Sequence, residues 1–107
     1  MPNQKYYPQE LYLATEPGKP GNREPLVSYF AGIFVRVHLG DEQPRLHVKY
    51  SKEMAVFDFE GKLLEGSLPE KQQKYIAVWA DLRYTELMVL WEIMQREDTH
   101  IYIRGLD

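Results

Sequence analysis

The sequence of 107 residues contains no cysteine. Disulfides, thiolate catalysis and cysteine-type zinc sites are therefore excluded, and the composition suits a reducing compartment. No apolar run approaches the ~20 residues that a membrane-spanning helix needs, and no secretory signal is recognisable. We expect a cytoplasmic protein with no membrane partner.

Established catalytic motifs are missing as well. No glycine-rich phosphate loop leads into a helix pattern, no serine lies in a nucleophile elbow, and no His-Glu-x-x-His run occurs. The net charge of −3 argues against a general nucleic-acid binder. The sequence therefore favours a protein that is not an enzyme, and it predicts no cofactor.

The overall composition is that of an ordinary globular protein, with 44% hydrophobic and 27% charged residues. A chain of this length suits one domain. Residues 16–25 are rich in charged and turn-forming residues, which indicates a linker. We therefore divide the chain into an N-terminal extension, residues 1–24, and one domain, residues 25–107.

Residues 67–95 predict one long amphipathic helix. Ser67 and Glu70 have the spacing of a capping box, and large apolar residues follow at steps of three and four. Trp79 and Trp91 are expected to be core anchors. A straight helix of this length would extend roughly 40 Å, which is long for so small a domain. A break at residues 83–85 is therefore the alternative.

Alternation of apolar and polar residues predicts the strands. Residues 26–39 indicate one strand bent or bulged at Gly32, and residues 45–50 and 54–60 indicate two more. Residues 62–66 predict a fourth strand, and residues 100–106 a final edge strand. The predicted fold class is α+β, with an antiparallel sheet of three to five strands packed against one long C-terminal helix.

Matching the apolar faces of neighbouring strands predicts their register. A turn at residues 41–44 places His38 opposite His47 and Arg36 opposite Lys49. The following strand then places Asp58 opposite His47 and Glu60 opposite Arg45. One face of the sheet is therefore predicted to be basic.

The basic face contains the candidate site. His47 with Asp58 could act as an acid–base pair near neutral pH, as candidate catalytic residues. The candidate binding residues, which could hold a phosphate, are Arg36, His38, Arg45 and Lys49. The alternative is that these side chains form plain cross-strand pairs on the surface. No metal site is predicted, because two histidines need a third ligand and only Asp41 or Glu42 could supply it.

Several segments in order, among them PLVSYFAGIFVRV from Pro25, QPRLHVKY and LLEGSLP, resemble the domain of unknown function 4160 (DUF4160) family over residues 25–106. Members of that family commonly carry a His-x-Pro-Pro-His-x-His turn. Asp41, Gln43 and Arg45 stand where the family has its first histidine, first proline and second histidine, whereas Pro44 and His47 agree. The resemblance therefore implies that a site built on the family's histidines is lost here.

Members of this family are often encoded beside another small protein, which implies a partner. We expect an interaction module, in a two-protein assembly similar to toxin–antitoxin pairs or in a homo-oligomer. The alternative is a ribonuclease-like toxin that acts on nucleic acid through His47 and Asp58.

Overall fold

The computed structural model describes residues 23–97 and 99–106. The predicted extension, residues 1–24, lies outside these ranges except for Arg23 and Glu24. The described part forms five strands and two helices, which confirms the α+β class. The elements are β1 (Leu26–Phe30), β2 (Ile33–Arg36), β3 (Arg45–Tyr50), β4 (Glu53–Asp58), β5 (Leu63–Gly66), α1 (Glu70–Leu82) and α2 (Tyr84–Glu97). None of the described helices has the length and apolar character needed to cross a membrane.

The strands form one antiparallel sheet in the order β1-β2-β3-β4-β5, in which each strand pairs with the next along the chain. Alternate residues of β2, β3 and β4 are buried and join apolar residues of both helices in one hydrophobic core. Each helix contributes its stripe of apolar side chains to that core. The fully buried core residues include Ile33, Val35, Leu46, Phe57, Ile76, Trp79, Leu87 and Leu90.

Residues 26–36 form a tight hairpin, so the prediction of a single strand bent at Gly32 was wrong. Ala31 and Gly32 have φ angles of +50° and +77°, and Phe30 pairs with Ile33 across the turn. Two consecutive residues with positive φ are typical of a type I′ turn, whose usual sequence is Asn-Gly. Ala31 lacks that signature, which explains why the sequence pattern did not reveal the turn.

The segment predicted as one long helix is two helices that meet at Arg83, as the alternative proposed. Arg83 has φ −105° and ψ 15°, outside the helical range. A straight helix through both segments would be ~42 Å long at about 1.5 Å per residue, which exceeds the greatest extent of the fold, 36 Å. The break therefore lets both apolar stripes reach the same small core.

The predicted capping box is not formed. α1 begins after Pro69, which is its N-cap and makes no side-chain capping hydrogen bond. Instead, the side-chain amide of Gln73 donates to the carbonyl of Leu68 at 2.9 Å. Proline fixes the backbone angle at the helix start without a capping hydroxyl.

The predicted register was wrong by two residues at both strand pairs that it addressed. Arg36 pairs with His47, and Arg45 pairs with Asp58. The connection between β2 and β3 spans residues 37–44 rather than 41–44. Because side chains alternate with a period of two, this error leaves every residue on its predicted face.

The predicted final edge strand is absent, since residues 99–106 have no strand assignment. This C-terminal segment nevertheless lies against β1. The N–H of Ile103 donates to the carbonyl of Val27 at 2.7 Å, and the Tyr102 hydroxyl accepts from the N–H of Tyr29 at 3.0 Å. Ile103 is buried, so the segment anchors to β1 without extending its ladder.

Candidate functional site

The outer face of the sheet, opposite the core, carries a groove of about 450 Å³. β2 and β3 contribute Phe34, Arg36, His47 and Lys49, because alternate residues of a strand point to the same face. Met54 and Val56 of β4 line the groove further along. Four of the six predicted site residues, namely Arg36, His38, His47 and Lys49, therefore share this groove.

Two histidines form the centre of the site. His38 lies just after β2, and His47 lies in the middle of β3. Their rings stack in parallel, with centroids 3.4 Å apart and planes within 5° of each other. The backbone partner of His47 is Arg36, two residues before His38, so the predicted backbone pairing was wrong. The side chains of the two histidines nevertheless meet.

The carboxylate beside His47 belongs to Asp41. Asp41 Oδ2 lies 2.7 Å from His47 Nε2, and both side chains are about three-quarters buried. A carboxylate can only accept, so this hydrogen bond requires His47 to carry its hydrogen on Nε2. A turn, in which the N–H of Asp41 donates to the carbonyl of His38 at 3.2 Å, brings Asp41 back over the sheet.

Asp58, the predicted acid–base partner of His47, has a different place. Its Oδ1 accepts the backbone N–H groups of Glu60 and Lys62, each at 2.9 Å, and thereby shapes the turn between β4 and β5. In the ladder it lies opposite Arg45 rather than His47. The acid–base role of His47 and Asp58 stays a prediction, although the carboxylate bonded to His47 belongs to Asp41.

The cationic residues are only partly available to a ligand. Arg36 Nη1 donates to the carbonyl of Glu24 at 3.0 Å, and Arg45 Nη1 lies 3.8 Å from Glu65 Oε2. Arg45 does not line the groove, whereas Lys49 is exposed along it. Arg36 and Lys49 line the groove, so phosphate binding there stays a prediction for these two residues.

The environment of His38 disfavours its charged form. Burial lowers the pKa of His38 below its ordinary value of 6.5, and the adjacent His47 lowers it further. The carboxylates of Glu24 and Asp41 raise the pKa, but these effects are smaller than that of burial. Because the folded state binds this proton less readily than the unfolded state, stability declines as the pH falls through 6.5 toward the pKa of folded His38.

We expect an NMR titration to place the pKa of His38 below 6.5. In His47→Ala the pKa of His38 should rise toward that value, because the repulsion from the second ring is removed. His100, whose pKa burial alone lowers, serves as the internal control and should titrate unchanged in the variant. A pKa of His38 at or above 6.5 in the wild-type protein would contradict the described environment.

His38, Asp41 and His47 together form a set of potential metal ligands. One ligand atom from each lies within 4.8 Å of the other two, and all three residues are partly buried. From the sequence, Asp41 was one of two residues that could supply a third ligand, and no metal site was predicted. Only the folded turn shows that Asp41 reaches His47, because Asp41 lies in the irregular connection before β3 and His47 lies inside that strand.

Comparison with known proteins identifies the family. A family model described as Domain of unknown function (DUF4160) matches residues 32–92. The chain belongs to this family. The match is shorter than the resemblance expected over residues 25–106, and it runs from the β1–β2 turn into α2. It therefore includes His38, Asp41 and His47, while β1 and the C-terminal segment lie outside it.

No curated protein matches the chain. No solved structure matches it either. Because the family model is described only as a domain of unknown function, the family assignment supplies no activity.

Proposed function

We propose that the protein is an interaction module that works as an assembly of two copies joined through β5. The observation that carries this proposal is the difference between the two edges of the sheet. At one edge, the C-terminal segment occupies the carbonyl of Val27 and the N–H of Tyr29 in β1. At the other edge, all four residues of β5 are exposed.

An open edge strand is a template for pairing with another chain, and charged or inward-pointing residues usually blunt it. β5 carries one charged residue, Glu65, beside two adjacent exposed leucines, Leu63 at 36% and Leu64 at 39%. Pairing with a further strand would cover these side chains and supply backbone hydrogen bonds. These features support assembly through β5.

A second copy of the chain suits this edge. A two-fold axis through Leu64 would pair β5 antiparallel with itself and place Leu64 against its own counterpart. The same register places Lys62 opposite Gly66 and Leu63 opposite Glu65. No like charges then lie directly opposite each other, which favours the pairing.

We expect light scattering of the full chain to give twice the chain mass of 12.7 kDa. Leu64→Lys should be monomeric at the same concentration, because it places two lysines face to face on the axis. Val89→Lys is the matched control, since Val89 is a similarly exposed apolar residue on α2, at 46%. It should stay dimeric.

Two outcomes would overturn the assembly. The first is a monomeric wild-type protein, which would direct the search to a different partner protein, as in the toxin–antitoxin-like arrangement. The second is a dimeric Leu64→Lys variant, which would place the contact away from β5.

A further inference from the structure

We propose that His38, Asp41 and His47 bind one divalent transition-metal ion of the zinc type. This site is separate from the assembly through β5. The family description names no ligand, and this proposal assigns one to the chain.

The three donors define the class of ion. Two imidazole nitrogens and one carboxylate oxygen suit Zn²⁺ and its neighbours Co²⁺ and Ni²⁺. Mg²⁺ and Ca²⁺ prefer sites made entirely of oxygen atoms. Three protein ligands with a fourth position open to solvent is also the arrangement of zinc sites that bind a water or a substrate.

The distances are compatible with such an ion after a small adjustment. Bonds of roughly 2.0–2.2 Å place the ligands of a tetrahedral zinc about 3–3.5 Å apart, whereas the present ligand atoms lie within 4.8 Å of one another. One of the two stacked rings must turn so that both rings direct a nitrogen at the same point. If His47 coordinates through Nε2, the hydrogen on that atom moves to Nδ1.

The backbone that carries the ligands is well fixed. His47 lies inside β3, and the residues on both sides of His38 are hydrogen-bonded to the segment before β1. Val37 N donates to the carbonyl of Pro25 at 3.3 Å, and Leu39 N donates to that of Arg23 at 2.7 Å. A fixed backbone lowers the cost of assembling the site, because only side-chain rotations remain.

An outer carboxylate completes the surroundings. Glu24 Oε1 lies 4.0 Å from His38 Nε2, beyond hydrogen-bond distance, so the His38 ring must turn before this carboxylate can orient it. Both histidines also line the groove on the outer face of the sheet. An ion held between them is therefore accessible to water or to an anionic ligand in that groove.

Calorimetric titration of the full chain with Zn²⁺ tests the proposal. We expect one ion per chain and no heat of binding with Mg²⁺ at the same concentration. Asp41→Asn and His47→Gln should each weaken Zn²⁺ binding at least about tenfold. The chain has three histidines, so His100→Gln is the matched control and should bind as the wild type does.

Co²⁺ provides a second measurement. Binding should produce a visible absorption band in the wild-type protein and in His100→Gln, and Asp41→Asn should lose it. Zn²⁺ should also raise the melting temperature of the wild-type protein but not that of Asp41→Asn, because an ion that binds only the folded state stabilises it. Circular dichroism before addition of metal establishes that each variant is folded.

Two results would overturn the site. One is the absence of Zn²⁺ binding to the wild-type protein at millimolar concentration. The other is binding whose affinity is the same in folded Asp41→Asn and His47→Gln as in His100→Gln. Neither result depends on whether the protein dimerises.

Discussion

Trp79→Ala is expected to reduce the free energy of unfolding by about 3–5 kcal/mol. Trp79 is fully buried, and its ring lies 5.2 Å from that of Phe30, centroid to centroid. Its Nε1–H also donates to the carbonyl of Arg104 at 2.8 Å. The substitution would leave a cavity at the centre of the core and remove one of the bonds that hold the C-terminal segment.

Urea denaturation followed by circular dichroism measures this effect. A loss of that size is a large part of the total stability of a typical domain, about 5–15 kcal/mol, so the variant should be partly unfolded in mild denaturant. Tyr84→Ala is the control, because Tyr84 lies at the start of α2 with 42% of its surface exposed. A Trp79→Ala variant as stable as Tyr84→Ala would show that the core is not centred on Trp79.

Gly66→Ala should destabilise the fold by about 3 kcal/mol or more. Gly66 ends β5 with φ +73°, a conformation that residues with a side chain rarely adopt. A Cβ at this position would collide with the carbonyl oxygen of Met54 and lie 3.0 Å from the Cα of Ala55. Both atoms belong to the backbone of β4, so relief would require the β4–β5 ladder to separate.

Thermal denaturation of Gly66→Ala and Gly40→Ala provides the comparison. A Cβ at Gly40 would meet only the end of the Arg23 side chain, at 3.9 Å, so its replacement should change the stability by less than about 0.5 kcal/mol. We expect a clearly lower melting temperature for Gly66→Ala alone. Equal melting temperatures for the two variants would contradict the close approach of β4 to Gly66.

The two proposals concern different surfaces, and their variants should act independently. Leu64→Lys changes the exposed edge of β5, and Asp41→Asn changes the turn before β3. We therefore expect Leu64→Lys to bind Zn²⁺ like the wild-type protein, and Asp41→Asn to retain the oligomeric state.

Much of the candidate site could be predicted from residue types and alternation. The pattern of β2 and β3 placed Arg36, His38, His47 and Lys49 on one face, and the structure brings these four residues to one groove. The partner of His47 could not be predicted in this way. In the sequence, Asp41 stood as a replacement for a family histidine and as one of two candidates for a third metal ligand, but no pattern placed its carboxylate 2.7 Å from His47.

The sequence by itself determined the α+β class, the faces of the strands and the apolar stripes of the helices. These features follow from local periodicity, which a register error of two residues does not disturb. Only the tertiary structure decided where the chain turns: at Ala31 and Gly32, at Arg83, and between His38 and Asp41. Turns that lack their usual residues are set by the packing of the elements that they join. The turn between His38 and Asp41 is one of these, and it brings the proposed metal ligands together.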